Sequence, residues 1–197
     1  MQPYFYPYMG YFDLFKLIDT FVIFDCVQFI RRGYIHRNQF YLENGALDWL
    51  SLPLIKAPQT TPISEIQLHK NFEFEFATRS YRFPIFSKVT ELAGSEVIFQ
   101  GRDDLTSYLI SNLKFACNLL SLQKPMVRSS TLKIDSSLKG EDRILEICAK
   151  MKATKYVNLT GGRGLYCEKK FLEKGVQLEF TNPYAGARIS MLEEICN

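Results

Sequence analysis

The sequence predicts an α/β fold in which a mainly parallel sheet is covered by helices, and three observations carry that reading. The last half of the chain runs helix, strand, helix, strand, the order that buries a parallel sheet between helices. Near the amino end, an irregular aromatic segment feeds an amphipathic stretch and then a short apolar strand, an order in which α/β proteins often bind ligands. Between these regions Asn44-Gly45 separates two extended runs, which reads as a hairpin inserted around residues 40–54.

Residues 2–12 hold six aromatics, two prolines and a glycine. Each proline removes a backbone donor and fixes φ, so this segment is neither a core strand nor a helix. Tyr11, Leu14, Leu17 and Ile18 then share one helical face. Residues 21–24 are apolar throughout, as a strand covered on both faces would be. Asp25 marks that strand's end, where acidic groups often face the ligand crevice. Residues 28–38 are rich in polar contact groups: Gln28, Arg31, Arg32, His36, Arg37 and Asn38.

Beyond the hairpin, residues 63–68 read as a further strand. Residues 72–83 alternate Phe and Glu at first, but their length favours a helix, which Pro84 ends. Asp103 is the expected N-cap of a helix over 104–120, with Leu105, Tyr108, Leu109, Asn112, Leu113, Ala116 and Leu120 on one stripe. A short strand follows at 126–129, then a helix over 140–151 with an acidic start and a basic end. Strands at 156–157 and 176–180 flank Thr160-Gly-Gly-Arg-Gly164 and a short helix over 168–172.

At 47% hydrophobic over 197 residues the chain can bury a core, and one domain over 1–197 is expected. A net charge of +3 is too small to point to nucleic acid. No apolar run reaches the length of a membrane span, and no basic region with a signal core opens the chain, so a cytoplasmic protein is expected. The five cysteines, Cys26, Cys117, Cys148, Cys167 and Cys196, lack metal-ligand spacing and suit reduced thiols; no metal site is expected.

Several groups could carry chemistry, each beside a plainer reading. The aromatics of residues 2–12 could form a stacking wall, or a core plug. Arg31, Arg32 and Arg37 could hold phosphate bidentately, or sit on a solvated loop. His36 could be a base, although a lone histidine is more often structural. Cys26 at the end of a buried strand is an inert thiol rather than a nucleophile. Backbone amides of Thr160-Gly-Gly-Arg-Gly could cradle phosphate, or make a tight turn; the P-loop and dinucleotide spacings are absent. Asn112 either faces a site or makes a core hydrogen bond. His69 and Glu193-Glu194 read as surface groups.

Residues 1–12, Met-Gln-Pro-Tyr-Phe-Tyr-Pro-Tyr-Met-Gly-Tyr-Phe, with Phe-Val-Ile-Phe-Asp-Cys-Val-Gln-Phe and His-Arg-Asn after them, closely resemble the WbqC-like family. The late family motif matches at Tyr156-Val-Asn158, Gly161-Gly162 and Leu165-Tyr166. The resemblance covers nearly the whole chain. It departs at Cys26, where the family has aspartate, at Tyr34, where it has tryptophan, and at His36, where it has asparagine. Family members carry about five further apolar residues ahead of the Met-Gln-Pro block, a strand's worth at ~3.3 Å each, so a first strand that is shortened or missing is expected here. Pro7-Tyr-Met-Gly-Tyr11 is also similar to the H-x-G-H signature of nucleotidylyltransferase-like folds, with tyrosine at both histidine places. The fold expected is therefore a three-layer Rossmann-like one.

The resemblance implies a role in bacterial cell-surface polysaccharide, particularly O-antigen (lipopolysaccharide) biosynthesis. The partner it implies is a nucleotide-linked amino sugar, and the expected reaction is acyl or aminoacyl transfer to the sugar amine. Asp25 or His36 would be the base. Gln2, Gln28, Arg31, Arg37, Asn38 and Asn112 would bind substrate polar groups, and Tyr4, Tyr8 and Tyr11 would stack on it. Asn158, Gly161, Gly162 and Tyr166 join the substrate site through the family motif. No cofactor is fixed; ATP or an acyl-CoA would be the activated donor. A non-catalytic sugar-nucleotide-binding or assembly protein of the same pathway is the alternative.

Overall fold

The structure, a computed structural model, describes residues 1–196. It is a mixed α/β protein with small sheets, none closed into a barrel. The expected parallel pairing forms as two separate pairs. Strand β1 (Phe21–Ile23) lies parallel to β4 (Met126–Arg128), and β5 (Lys155–Asn158) lies parallel to β6 (Gln177–Phe180). An antiparallel hairpin, β2 (Arg37–Tyr41) and β3 (Leu47–Ser51), opens three residues earlier than Asn-Gly alone marks and places Gln39 opposite Trp49. Gly45, at φ 77°, supplies the left-handed residue that the hairpin's turn needs.

Strand β1 is covered on both faces, as its unbroken apolar run predicts. Phe21 and Ile23 enter a large core cluster, whereas Val22 and Phe24 lean on a smaller one built around Ile144, Ile147, Phe171 and Val176. Strand β5 divides in the same way, with Val157 on the large cluster and Tyr156 on the small one. Met1 takes the edge of β1 away from β4. Its amine donates to the Val22 carbonyl at 2.9 Å and its carbonyl accepts from Phe24 N at 2.7 Å. Burial lowers its amine pKa to about 5.

Helix α1 (Asp13–Leu17) follows a 3-10 turn at Met9–Phe12. The tighter turn rotates the buried face. Tyr11, Phe12, Leu14 and Phe15 are buried, while Leu17, placed on the buried stripe by period alone, is 41% exposed. Helix α2 (Phe72–Ser80) resolves the Phe-Glu alternation: Phe72 and Phe76 are buried one turn apart and Phe74 faces out, as only a helix allows. Pro84 caps the start of α3 (Ile85–Val89).

Residues 63–68 do not form the expected strand. Ile63–Glu65 is a 3-10 turn, because the Ile63 and Ser64 amides donate to the Val27 and Asp25 carbonyls instead of to a ladder. Helix α4 (Leu105–Leu119) is capped by Asp104 rather than Asp103, the Asp104 carboxylate accepting from Ser107 N at 2.9 Å.

Helix α5 (Gly140–Lys150) and helix α6 (Glu168–Glu173) cover the second cluster. Thr160–Leu165 is a 3-10 turn. Helix α7 (Met191–Ile195) returns to the amino-terminal block, where Met191 N donates to the Pro7 carbonyl. Glu193, expected at the surface, is buried there and accepts from Tyr41 N at 2.9 Å, which closes the free edge of β2 at that point. No helix among the described residues is long and apolar enough to cross a membrane.

Candidate functional site

The amino-terminal block is a fixed loop. Tyr6 sits at φ 46°, a left-handed conformation costly for a tyrosine. Two side chains hold it there. The Asn38 amide donates to the Phe5 and Tyr6 carbonyls at 3.1 and 2.6 Å, and the Tyr6 hydroxyl donates to the Asn112 side-chain carbonyl. The Asn112 amide in turn donates to the Tyr108 carbonyl at 2.8 Å. Asn38 and Asn112 are both buried. They bind the loop's backbone and the Tyr6 hydroxyl, so their part in a site is to shape it. The Gln2 carbonyl accepts from the Tyr11 hydroxyl at 3.2 Å.

The strained loop turns other rings outward. Tyr4 and Tyr8 are half-buried, whereas Tyr11 lies inside the core. Tyr4 meets Tyr34 at 5.1 Å between ring centroids, and Tyr34 meets Trp49 of β3 at 5.4 Å. Tyr8 meets Tyr184 at 5.4 Å. Two guanidiniums stand on these rings, Arg37 at 4.1 Å from the Trp49 centroid and Arg188 at 5.8 Å from that of Tyr8. Burial first, then the neighbouring Tyr34 and Tyr8, raises the Tyr4 pKa; Arg188 works against them, and Tyr4 keeps its proton at neutral pH. The result is an aromatic, cationic face built from the loops after Met1, β1 and β6 and from β2 and β3.

Asp25 has a different setting. It is 0% exposed, and four donors fill its oxygens: Ser129 Oγ at 3.1 Å and Ser130 N at 2.8 Å on Oδ1, Ser130 Oγ and Arg128 Nε at 2.8 Å each on Oδ2. Arg128 continues to Asp104, the cap of α4, at 3.3 Å. Burial works the Asp104 pKa upward, but the Ser107 bonds and Arg128 hold it below the ordinary carboxylate value. Asp25 therefore clamps β1, β4 and α4 together. A carboxylate with every lone pair engaged is poorly disposed to take a proton from a substrate.

His36 packs edge-on against Phe29 at 5.0 Å. Burial, and then the Arg37 charge, lowers its pKa to about 4, so the ring is neutral at pH 7. Its Nδ1 is buried with no hydrogen-bond partner. Gln28 and Arg31 donate to the Gln59 and Ala57 carbonyls at 2.8 and 2.6 Å and tie two loops together.

The late motif gathers around itself. The Asn158 amide donates to the Tyr156 and Tyr166 hydroxyls at 3.1 and 3.0 Å, and a Cβ at Gly162 would come within 3.0 Å of that amide. Gly161 lies in the open, with nothing where its Cβ would be. Asp25, His36 and Asn158 thus lie in three different surroundings, while Tyr4, Tyr8 and Arg37 share the aromatic face with residues that the sequence reading did not place in a site.

Those residues are Tyr34, Trp49, Tyr184 and Arg188, together with Arg128, Ser129 and Ser130 at the Asp25 clamp. Arg128 had a signal: a basic residue ends one apolar strand as Asp25 ends another. Tyr184 and Arg188 had none, because they reach the face only through the path of the chain after β6. A cleft of about 770 Å³ lies elsewhere, at the start of α2, and includes His69, Lys70 and Arg102. His69 pairs there with Glu75 at 2.6 Å.

The WbqC-like protein family matches residues 2–187. An uncharacterized protein of Mycobacterium tuberculosis, Rv1507c, is 22% identical over 198 aligned residues, covering 95% of this chain and 82% of its own length. No solved structure matches. The matched span takes in the fixed aromatic loop, the Asp25 clamp and the Asn158 motif, and the chain belongs to the WbqC-like protein family.

Proposed function

We propose that the protein binds a nucleotide-linked amino sugar on its aromatic face, as part of cytoplasmic assembly of cell-surface polysaccharide. The observation that carries this is the run of rings Tyr4–Tyr34–Trp49 with the Arg37 guanidinium on it. Sugar rings and bases stack on such faces, and cations beside them suit phosphate. The family resemblance supplies the pathway, O-antigen biosynthesis. A three-layer, Rossmann-like single domain suits the reading as well, since β1 is covered on both faces and ligands of such folds gather at the carboxyl ends of parallel strands.

Binding is the reading that the geometry favours over catalysis, because the Asp25 carboxylate is fully engaged. One observation favours acyl or aminoacyl transfer as a second reading. His36 carries an unpartnered Nδ1, next in sequence to Arg37, and would be the base in place of Asp25, a weak one at a pKa of about 4.

Trp49 is the only tryptophan of the chain and touches Tyr34, so its fluorescence reports on the face. Titration with a UDP-linked amino sugar should change that fluorescence saturably. Tyr34→Ala should weaken binding about fivefold or more, stacking being worth about 1–3 kcal/mol. No saturable change in the wild-type protein, or an unchanged affinity in the variant, overturns the aromatic face as the sugar site. Adding ATP with a small carboxylic acid, or an acyl-CoA, and looking for an N-acylated sugar, separates the two readings.

A further inference from the structure

Several arginines of the chain are already engaged. Arg79, Arg82 and Arg128 pair with carboxylates, and Arg143 donates to the carbonyls of Cys26, Ser136 and Leu138. Arg37 uses Nε and Nη2 on the Gly33 and Arg32 carbonyls, at 3.2 and 2.7 Å. Arg188 differs. It is exposed, it stands 5.8 Å over Tyr8, and among the described residues no carboxylate or carbonyl takes its donors. Its charge is felt at Tyr4 as well.

The path of the chain after β6 brings Arg188 to that place. Residues 182–190 are irregular but fixed at both ends: Thr181 N donates to the Asn158 carbonyl at 2.9 Å, and Met191 N to the Pro7 carbonyl at 3.0 Å. Midway, the Tyr184 ring lies against Gly10 so closely that a Cβ there would come within 2.4 Å of Tyr184 Cγ. The segment is therefore seated on residues 7–10 and carries Arg188 over the Tyr8 ring. A guanidinium on a tyrosine face, in no ion pair among the described residues, can turn its fork of donors to a phosphate, with the Asp13 and Glu194 carboxylates acting on the Tyr184 ring beside it. The Tyr4 hydroxyl, which feels the Arg188 charge and keeps its proton, is a second donor on that side of the face.

We propose that Arg188 is the phosphate-binding residue of the aromatic face, taking the diphosphate of a nucleotide-linked sugar while Tyr4, Tyr34 and Trp49 hold its rings. This rests on the sugar-binding reading above. Arg188 lies just beyond the span that the family matches.

The test is calorimetric titration of the full chain with three probes: a UDP-linked amino sugar, inorganic pyrophosphate and the phosphate-free amino sugar. Arg188→Gln should weaken the first two at least tenfold and flatten their dependence on salt, leave any binding of the phosphate-free sugar as it was, and keep the unfolding midpoint. Arg188→Lys should recover part of the loss, since the charge remains and the fork does not. Unchanged affinity for the UDP sugar in Arg188→Gln overturns the assignment and spares the sugar-binding reading. Arg188-dependent binding of pyrophosphate without binding of the UDP sugar supports the assignment and overturns that reading. A wild-type chain that binds neither phosphate probe overturns both.

Discussion

Asp25 and His36 are the two groups from which the sequence builds a reaction, and their surroundings give them opposite characters. Asp25 is an ion-paired strut. Replacing it with asparagine removes the charge that Arg128 faces and turns an amide donor toward groups that already donate. Breaking a buried pair from one side costs about 3–5 kcal/mol, and the 25% exposure of Arg128 puts this one near the low end, about 3 kcal/mol. Urea denaturation of Asp25→Asn should show that loss, with sugar affinity unchanged in the folded protein. Normal stability with lost turnover would restore Asp25 as a base.

His36 reads out through pH. Its folded pKa of about 4 lies below the unfolded value of about 6.5, so the unfolded chain binds the extra proton between them. The stability it contributes is complete above pH 6.5 and is lost as pH falls toward 4. The Met1 amine, lowered to about 5, slopes stability the same way from pH 8 downward. His36→Phe should therefore flatten, but not abolish, the fall in urea midpoint between pH 6.5 and 4. Equal slopes in the two proteins would remove His36 from the account.

At the scale of elements, local chemistry was legible and long-range pairing was not. The long helices α4 and α5, the Asn-Gly hairpin and the apolar strand β1 follow from period, caps and turn residues, which act within a few residues of each other. The misread elements were decided from elsewhere in the chain. Residues 63–68 lose their strand because the loop after β1 takes their amides, and Leu17 turns outward because a 3-10 turn precedes α1. The site divides in the same way. Tyr4 and Tyr8 could be picked out from residues 2–12 by composition, but composition could not tell them from the buried Tyr6 and Tyr11. That choice depends on the left-handed Tyr6, and hence on Asn38 and Asn112 far along the chain. The Tyr184 and Arg188 side of the face depends on Gly10 admitting a ring, a fit that no local pattern records.

At the scale of the molecule, the question is whether the two apolar clusters unfold together. The smaller one is completed by Phe171, 0% exposed and stacked on Tyr156 at 5.5 Å. It has few other large buried side chains, and its helices α5 and α6 could melt alone if nothing coupled them to the rest. Strands β1 and β5 supply the coupling, because each places alternate residues in both clusters. Separating the clusters would uncover Val22 and Phe24 on one side and leave β1 half-buried. Phe171→Ala should cost about 3–5 kcal/mol, as buried phenylalanine truncations do. With the clusters coupled, that loss appears as one lowered transition in which Trp49 fluorescence, reporting the aromatic face, and far-ultraviolet circular dichroism, reporting all helices, move together. If circular dichroism falls first while Trp49 keeps its wild-type midpoint, the small cluster is a separate folding unit and β1 does not bind the two into one.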